Sequence, residues 1–379
     1  FPEITKSFTL PAQRDKAGGT AFAERQLLRD SGLLNLAIPQ DLGGLGANWP
    51  LIFRIVRRFA QADSSLAHLL AFQHHQIATV LLFGSAVQQE FYLRATAEKG
   101  WFWGNAVNAR DTRLKAARVD GGWVLDGVKS FCSGARDSDV LDISVATGPG
   151  PTDRLFMVVP TERAGITVND DWDNMGQRQT DSGSVAFKNV QVADKEVLGP
   201  PGTASSPRAT LRNMVGQIIL TEIYIGNAQG ALAEAVSYSR TQTQPWVMAE
   251  VSRAVDDPLL QLRAGEMWAS LRAAVALSEQ ANAAFQTIWA RGLVLTEAER
   301  GDAAMLVAAA RSIAAKTALQ ITSQIFELMG ARATTAHNGF DRYWRNVRVH
   351  TLHDPIDYRS KEIGRWLLSG ELPNAYGYG

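Results

Sequence analysis

The sequence predicts an α+β fold in which helical segments stand before and after a central β segment. Helical periodicity covers residues 20–99, and short β-branched or alternating runs separated by Gly, Pro, Asp and Asn begin near residue 100. Helical periodicity returns after residue 208. We therefore predict an N-terminal α-helical domain over residues 1–99, a central β domain over 100–207 and a C-terminal helical bundle over 208–379.

The N-terminal helices are predicted from an amphipathic face. Ile52, Ile55, Val56 and Phe59 recur at steps of three, one and three, with charged residues between them. The preceding stretch IPQDLGGLGANWP carries prolines and glycines that break both periodicities, so we predict a loop. A Gly-rich loop can cradle a phosphate, but no strand-then-helix unit with a GxGxxG pattern surrounds this one, which favours a structural role.

The central segment is predicted to form one antiparallel β domain. Its candidate strands lie in ARVDGGWVLDGVKSFCSG, DVLDISVAT, DRLFMVVPT and GSVAFKNVQV, and GGWVLDG is typical of a hairpin arm. PPGTASSPR follows as a predicted linker to the last domain.

Long helices are predicted for the last domain. Asp257 and Pro258 are typical of a helix start, and Thr296 with Glu299 matches a capping box at the start of the next helix. These alanine-rich helices run close to thirty residues each. Such length indicates a bundle that also supplies contacts between subunits. The core-facing stripe of the last long helix is predicted to be Val307, Ala310, Ala314, Thr317, Ile321, Ile325 and Leu328.

Composition excludes several classes of protein. The 379 residues contain 38 Lys plus Arg and 38 Asp plus Glu, so no basic field exists to bind nucleic acid. Charges interrupt the apolar runs short of the roughly 18–20 residues that a bilayer span requires, so we predict no membrane segment. The single cysteine, Cys132, excludes an internal disulfide, and the first residues lack the layout of a secretory signal. We expect a cytoplasmic protein.

Candidate chemistry concentrates near the C-terminus. The six histidines form no zinc-ligand spacing, so we predict no metal site. The string FDRYWRNVRVHTLHDP places His350 and His353 among arginines, and Pro355 indicates a rigid helix start after them. A solvated basic turn is the alternative interpretation. We favour a functional His353, because the titration range of histidine suits proton transfer.

Two further stretches are candidates. Ser133, in KSFCSG, lies outside any GxSxG motif, which makes a nucleophilic serine improbable, and Cys132 beside it reads as an inert small hydrophobe. The aromatic run WFWGNA precedes Asn105, and Trp172 follows two aspartates. Because three consecutive aromatic residues cannot all face one core, we expect some of them to line a flat apolar cavity that would suit a flavin ring.

Several longer motifs of the chain resemble those of a known superfamily. GGWVLDGVKSFCSGA, DSGSVAFKNVQVADKEVLG and GNAQGALAEAVSYSRTQ occur in the order found in the acyl-CoA dehydrogenase superfamily, along nearly the whole chain. AERQLLRDSGLLNLAIPQDLGGLGANWP, NDDWDNMGQRQTDSGS and GFDRYWRNVRVHTLHDP resemble its dibenzothiophene monooxygenase group. The resemblance implies an N-terminal helical domain, a central antiparallel β-barrel and a C-terminal four-helix bundle. It also implies a two-component monooxygenase that receives reduced flavin from a separate reductase and oxygenates sulfur.

The resemblance assigns roles to residues of the site. His353 stands where many dehydrogenases carry a catalytic glutamate, and it and Ser133 would lie near the reactive edge of the flavin and stabilise or protonate a C4a-hydroperoxide. Asn105 would form a hydrogen bond close by. The cofactor-binding residues implied in addition to Ser133 are Phe131 and Trp172, which would wall the ring, His350, which would support the histidine segment, and Arg240 and Arg332 as phosphate clamps from a neighbouring subunit.

The resemblance also implies the cofactor and partners. Ala331 and Arg332 replace a glycine run that admits the adenosine half of FAD in the dehydrogenases, so we predict FMN. The expected partners are O2, a small organosulfur substrate, a separate NAD(P)H-dependent flavin reductase and further copies of the chain, as a dimer or more readily a tetramer. No nucleic acid or membrane partner is expected.

Two positions depart from the group's pattern. A histidine of the N-terminal helices in the dibenzothiophene enzymes aligns with Gln73, so that His74 or His75 would replace it only if the helix register shifts. Trp103 stands where those enzymes carry a small polar residue. Its bulk predicts a smaller cavity and hence a small substrate such as an alkanesulfinate.

Three other functions stay open at this stage. One is an acyl-CoA dehydrogenase with a relocated base, and another is a flavin-dependent N-oxygenase. The third is a non-catalytic helical interaction protein, since fold alone does not fix function.

Overall fold

A computed structural model of the chain describes residues 11–148, 150, 153–199, 206–373 and 375. The helices in these residues are α1 (Pro11–Ala17), α2 (Phe22–Asp30), α3 (Trp49–Ala62), α4 (Ser64–Phe83), α5 (Ala86–Lys99), α6 (Leu211–Thr241), α7 (Pro258–Ala290), α8 (Glu297–Met329), α9 (Asp341–Thr351) and α10 (Ile356–Ser369). The strands are β1 (Trp103–Ala106), β2 (Lys115–Val119), β3 (Gly122–Lys129), β4 (Val140–Ala146), β5 (Arg154–Pro160), β6 (Ile166–Val168), β7 (Val185–Ala193) and β8 (Val197–Leu198). The predicted helical, β and helical order is confirmed.

The N-terminal helices follow the predicted pattern with one shift in a boundary. Asn48 caps α3 by accepting a hydrogen bond from the backbone of Leu51, and Pro50 lies in its first turn. The helix therefore starts at Trp49, two residues inside the predicted loop. Helix α4 is buried almost along its whole length, because the β domain covers one side and α6 covers another. Helix α4 therefore lies between the other N-terminal helices, strand β1 and α6.

Two four-stranded sheets make up the central domain, with strand orders β1-β4-β5-β8 and β2-β3-β7-β6. Their inner faces share one apolar core, in which Leu141 and Ile143 of the first sheet are buried with Leu125 and Phe187 of the second. All strand pairs are antiparallel except β1–β4, which is parallel. The predicted antiparallel arrangement is thus wrong for this pair, because the β2–β3 hairpin lies between β1 and β4 in the chain and acts as the crossover.

The C-terminal domain is built on three helices of 31, 33 and 33 residues, α6, α7 and α8, with α9 and α10 packed against α8. Asp257 caps α7, and the Thr296–Glu299 capping box begins α8, as predicted. All seven residues of the predicted stripe on α8 are buried. The predicted linker PPGTASSPR falls mostly on residues 200–205, which lie outside the described residues, and the three domain limits stay predictions.

One helix of the described residues, Glu297–Met329, is long and apolar enough to cross a membrane by length and composition. Arg311 and Lys316 nevertheless interrupt its apolar residues, as the sequence analysis expected. Of its most apolar window, 67% is buried inside the protein. Since a core helix meets the same criterion, the burial accounts for its apolar character.

Candidate active site

Two loops of the β domain run side by side and build the candidate site. The backbone N–H of Cys132 donates to the carbonyl of Gly183 at 2.9 Å, and the N–H of Gly134 donates to the carbonyl of Thr180 at 2.9 Å. Gly134 has a φ of +68°, and a Cβ there would lie 3.1 Å from Leu69 of α4, so glycine permits the close approach of the helix. The two loops hold Ser133 and Ser182 next to each other beside α4.

A chain of hydroxyl groups, here called the hydroxyl relay, connects these loops to a histidine of α4. The Nε2 atom of His68 lies 2.9 Å from Ser133 Oγ, and Ser133 Oγ lies 2.7 Å from Ser182 Oγ. Ser182 Oγ lies 2.7 Å from Thr180 Oγ1, which donates to the carbonyl oxygen of Gln177 at 2.9 Å. His68, Ser133, Thr180 and Ser182 are all buried.

The carbonyl at the end of the relay fixes the direction of its protons. Because the single proton of Thr180 goes to the Gln177 carbonyl, Ser182 must donate to Thr180, Ser133 to Ser182, and His68 Nε2–H to Ser133. The opposite direction loses the bond to the carbonyl and makes three hydrogen bonds instead of four. One hydrogen bond contributes about 1 kcal/mol, so the first direction predominates. Ser133 is therefore an acceptor towards His68, with its own proton directed into the β domain.

The turn that carries Thr180 and Ser182 is held from the N-terminal domain. Gln177 and Asp181 adopt positive φ angles of 53° and 44°, which are uncommon for residues other than glycine. The buried guanidinium of Arg25 on α2 forms an ion pair with Asp181 at 2.5 Å. This contact holds the turn against the cost of its strained backbone.

Two imidazole rings stack next to the relay. The ring centroid of His68 lies 4.9 Å from that of His350 at an interplanar angle of 28°. The ring of Phe72 also stacks on that of His68, with a centroid distance of 4.2 Å. Burial lowers the pKa of His68 to about 3 and that of His350 well below its ordinary value, so both rings are neutral at pH 7. Their Nδ1 atoms have no hydrogen-bond partner among the described residues. The site is a set of neutral rings with unused nitrogen atoms.

His353 lies in the turn between α9 and α10, two residues before Pro355, and its side chain is accessible to solvent. The protein around the ring still desolvates it, and with the positive charges of Arg311 and Arg110 this lowers the pKa of His353 to about 4. The same residue contributes to the lowered pKa values of His68 and His350. The structure thus brings His353, His350 and Ser133 into one region.

Phe131 and Trp172 form the exposed edge of this region. Their ring centroids lie 6.0 Å apart at 76°, and Phe131 is 56% exposed although it is a large apolar residue. Phe131 also has a positive φ of 58°. The indole Nε1–H of Trp172 donates to the carbonyl of Gln177, the same carbonyl that ends the relay. A strained, exposed aromatic residue beside buried polar groups favours a ligand-binding surface.

Asn105 lies on β1, next to the relay through the backbone. Its N–H donates to the carbonyl of Ser133 at 3.0 Å, and its side-chain oxygen accepts from Val107 N–H at 3.1 Å. On β4 its register partner is Asp142, a buried carboxyl whose pKa burial raises to about 6. Asn105 is therefore adjacent to the predicted site, with its side-chain oxygen engaged in a local turn.

Arg240 and Arg332 lie outside this region within one chain. Both are exposed, at the ends of α6 and α8 that meet where Ser239 Oγ donates to the carbonyl of Leu328. Tyr224, whose hydroxyl donates to the carbonyl of His350, marks the level of the site on α6. Sixteen residues of helix at 1.5 Å per residue place Arg240 about 24 Å further along.

The aromatic run WFW does not line a cavity as predicted. Phe102 and Trp103 are fully buried, and the Trp103 indole donates to Thr96 Oγ1 at 2.9 Å inside the core between α5 and the first sheet. The expectation that Trp103 narrows a substrate cavity is wrong for the same reason. Cys132 is buried as expected, and burial raises the pKa of its thiol to about 12.

The histidine that reaches the site from α4 is His68, which the sequence analysis missed. Gln73, the predicted counterpart, instead donates to the carbonyl of Trp101 at 3.0 Å and accepts from the N–H of Trp103 at 2.9 Å. His75 Nε2–H donates to the carbonyl of Arg212 at 3.0 Å, and burial lowers the pKa of His74 to about 3. The signal was the spacing of His68 and Phe72, four residues apart on one face of α4.

Metal chemistry has little support at this site. Within the part of the chain that the structure describes, no group of three or more His, Cys, Asp and Glu side chains could hold a metal ion. The prediction of no metal site stays a prediction.

Comparison with known proteins decides the family. Models of the acyl-CoA dehydrogenase N-terminal, middle and C-terminal domains match residues 8–99, 95–190 and 218–358. The chain belongs to the acyl-CoA dehydrogenase family. The fold and family that the sequence motifs implied are confirmed.

Relatives within the acyl-CoA dehydrogenase family narrow the group. The chain is 44% identical over 372 residues to the probable FMNH2-dependent monooxygenase SfnC of Pseudomonas putida, covering 98% of this chain and 94% of the relative. It is 42% identical to methanesulfinate monooxygenase MsuC of Pseudomonas fluorescens, with a TM-score of 0.96 over 100% and 98% of the two chains. FMN-bound TdsC of Paenibacillus sp. A11-2, a dibenzothiophene monooxygenase, has 38% identity and a TM-score of 0.95 over 100% and 98%. The predicted resemblance to this monooxygenase group is confirmed.

Proposed function

We propose that this chain is the oxygenase of a two-component, FMN-dependent system that oxygenates the sulfur of a small organosulfur compound, such as an alkanesulfinate. The observation that carries the proposal is the hydroxyl relay and its stacked neutral histidines beside the exposed Phe131 and the half-buried Trp172. The monooxygenase names of the most similar relatives and FMN in TdsC agree with this chemistry.

The residues present fit an FMN ring. Phe131 and Trp172 offer two apolar rings set at 76° to each other, which make an apolar corner, and the Nδ1 atoms of His68 and His350 are unpartnered polar atoms on the buried side of the site. We assign Phe131, Ser133, Trp172 and His350 to binding of the ring. Arg240 and Arg332 are assigned to its phosphate, because a guanidinium fork matches phosphate oxygens.

When bound, reduced FMN would supply the two electrons for a reaction in which one oxygen atom of O2 passes to the substrate sulfur and the other leaves as water. The chain supplies the surroundings. His353, neutral at pH 7 and accessible, holds or moves a proton at its ring nitrogen, while Ser133 and Asn105 orient the reacting groups. The buried rings of His68 and His350 exclude water from the inner side of the site.

The charges near His353 support an anionic substrate. Arg110 and Arg311 lower the pKa of His353 and Asp354 raises it, and Arg311 lies 3.8 Å from the Asp354 carboxylate, so that two guanidinium groups stand against one carboxylate. An alkanesulfinate carries a negative charge that these cations would stabilise, and a neutral thiophene does not. The positive charge near His353 therefore supports a small anionic substrate, whereas the buried Trp103 does not bear on substrate size.

Several exposed apolar residues support a homo-oligomer, and we propose a tetramer. Trp246, Val247 and Met248 are 70%, 80% and 75% exposed, and Leu259 and Trp268 of α7 are exposed as well. The distance along α6 from the site to Arg240 also supports a homo-oligomer. The ribityl chain of FMN spans only about 9 Å at its bond lengths, so Arg240, about 24 Å from the site, would have to act on a neighbouring subunit's FMN.

NAD(P)H oxidation is assigned to a separate flavin reductase, because the sequence carries no dinucleotide-binding fingerprint. The protein alone should not oxidise NADH. We also propose a cytoplasmic location, which would provide the reduced flavin that the reaction consumes.

The test supplies FMN, NADH and a flavin reductase under air and offers methanesulfinate, dibenzothiophene or dibenzothiophene sulfone. Products are identified by mass with ¹⁸O2, and catalase removes free hydrogen peroxide. We expect methanesulfonate containing one ¹⁸O atom and dependence on this protein. Oxygenated products limited to nitrogen compounds would favour the N-oxygenase alternative, and a tightly bound FAD bleached by acyl-CoA would favour the dehydrogenase.

A further inference from the structure

The loop that contains Thr180 and Ser182 controls which way the Ser133 hydroxyl points. Thr180 donates to the Gln177 carbonyl, so Ser182 donates to Thr180 and provides Ser133 with an acceptor 2.7 Å away. With its proton engaged there, Ser133 accepts from His68 Nε2–H at 2.9 Å. A hydroxyl oxygen has two lone pairs, so one lone pair of Ser133 remains for a ligand.

The two redox states of a flavin differ in what they offer to such a group. The reduced ring carries an N–H at N5, whereas the N5 of the oxidised ring is an acceptor. A Ser133 hydroxyl that presents only a lone pair can accept a hydrogen bond from N5–H of the reduced ring. Towards the oxidised ring, the Ser133 oxygen and N5 are both acceptors, so no hydrogen bond forms between them. The direction of the relay therefore discriminates between redox states.

We propose that Ser182 and Thr180 are positioning residues that make Ser133 a hydrogen-bond acceptor and so give the site a preference for reduced over oxidised FMN. The proposal rests on the proposed function, in which Ser133 meets the N5 edge of the flavin. The proposal gives a reason for three buried hydroxyl groups in series in a protein that receives reduced FMN. A serine without this series could direct its proton either way, whereas the Gln177 carbonyl at the end of the series fixes the direction.

The structure supports a fixed relay. Backbone hydrogen bonds on both sides of Ser133, from Cys132 and Gly134 to Gly183 and Thr180, hold the two loops in register. The Arg25–Asp181 ion pair holds the middle of the second loop. Since all three hydroxyl groups are buried, no bulk water competes for their protons.

The test measures the dissociation constants of FMN and of anaerobically reduced FMN for the full-length protein by fluorescence or absorbance titration. The variants are Ser182→Ala, Thr180→Val and the conservative Ser182→Thr. In Ser182→Ala, the Ser133 proton loses its acceptor and can turn to oxidised FMN. We expect the ratio of the oxidised to the reduced dissociation constant to fall about fivefold, as one hydrogen bond of ordinary strength gives.

Thr180→Val should lower the same ratio, and Ser182→Thr should keep it within twofold of the unchanged protein. Ser138→Ala is the control, because it removes a hydroxyl that is bonded to Thr161 Oγ1 at 2.7 Å and to the carbonyl of Ala135 at 2.7 Å and that is not a member of the relay. A ratio unchanged in both Ser182→Ala and Thr180→Val would overturn the proposal. If the unchanged protein binds reduced FMN but yields no oxygenated product, the proposed function fails while the ratios still test the relay.

Discussion

Two buried polar clusters of this protein have opposite characters. The hydroxyl relay with its histidines is neutral, and ring nitrogens of His68 and His350 lack partners within the described residues. The other cluster, between α3, α6 and α7, is charged. There the fully buried Glu222 carboxylate accepts from Arg57 twice, from Ser278 at 2.5 Å and from Asn282 at 2.7 Å.

The difference shows how to separate a site from a structural network when both are buried. The Glu222 carboxylate uses its full capacity of about four hydrogen bonds, so no ligand can gain by approaching it. The histidines near the relay keep unused acceptor atoms and lie beside the exposed Phe131. We expect substitutions in the Glu222 cluster to cost stability and substitutions near the relay to cost activity.

The largest effect is expected from a substitution that removes a charge from the Glu222 cluster. Arg57→Met leaves Glu222 buried without its cation, so the free energy of unfolding should fall by about 3–5 kcal/mol. Urea denaturation measures the change. Affinity for reduced FMN should persist in the folded fraction, because Glu222 faces Arg57 and Asn282, on the side of α6 opposite to Tyr224, which contacts the His350 segment.

Arg58→Met is the control for this change, because Arg58 is exposed on the next position of α3. It should change the unfolding free energy by less than about 0.5 kcal/mol. A loss of flavin affinity in Arg57→Met with unchanged stability would reverse the distinction between the two clusters.

The second prediction concerns activity. His353→Ala should lower the rate of oxygen transfer about 100-fold, within the range that general acid–base groups contribute. Since the side chain is accessible, stability should change little. Product formation with the reductase present measures the rate, and hydrogen peroxide release measures flavin oxidation without transfer.

His337→Ala, an exposed histidine of the loop before α9, serves as the control for His353→Ala. Oxygen transfer at the unchanged rate in His353→Ala would remove His353 from the proposed mechanism and leave only its position in the family motif.

Sequence patterns foresaw the elements that local rules determine. The capping box at Thr296, the helix start at Pro258 and the apolar stripe of α8 each depend on neighbours in sequence, and all are confirmed. The motifs around Ser133 and in NDDWDNMGQRQTDSGS were both singled out. Their pairing into one relay was not, because backbone bonds between residues about fifty positions apart carry no local signal.

The wrong prediction for Trp103 and the missed His68 also come from tertiary packing that the local sequence does not encode. Trp103 was assigned to a cavity from its aromatic neighbours, but a strand alternates its faces, and the face of Trp103 packs against α5. The sequence pattern did not distinguish His68 from the adjacent pair His74 and His75 on the same helix. Which face of a fully buried helix meets the site depends on tertiary packing, and α4 has apolar residues all around it.

A third prediction asks whether one chain completes the site. Arg240→Met should raise the dissociation constant of reduced FMN about tenfold, as the loss of one charged hydrogen bond to a phosphate implies. The same change should leave the affinity for lumiflavin, which lacks the phosphate, unaltered. Equilibrium titration with both flavins measures the effect.

Mixed oligomers test whether Arg240 acts across subunits. Combining Arg240→Met chains with Ser133→Ala chains should yield some sites that hold both an intact Arg240 and an intact Ser133 if the arginine comes from a neighbour. No recovery of activity in the mixture would mean that Arg240 does not act on a neighbouring subunit's site.

The smallest expected effect concerns acid sensitivity. Burial holds the pKa of His68 at about 3, against about 6.5 in the unfolded chain, so below pH 6.5 the unfolded state binds a proton that the folded state does not. Stability is therefore lost as the pH falls from 6.5 towards 3, by about 1.4 kcal/mol per unit for one such histidine. In His68→Gln, the loss of unfolding free energy between pH 7.5 and 5.5 should be about 1 kcal/mol smaller than in the unchanged protein. Urea denaturation at the two pH values, with His337→Gln as the surface control, measures this difference, and an identical pH dependence in His68→Gln would mean that the ring is not held neutral by burial beside the relay.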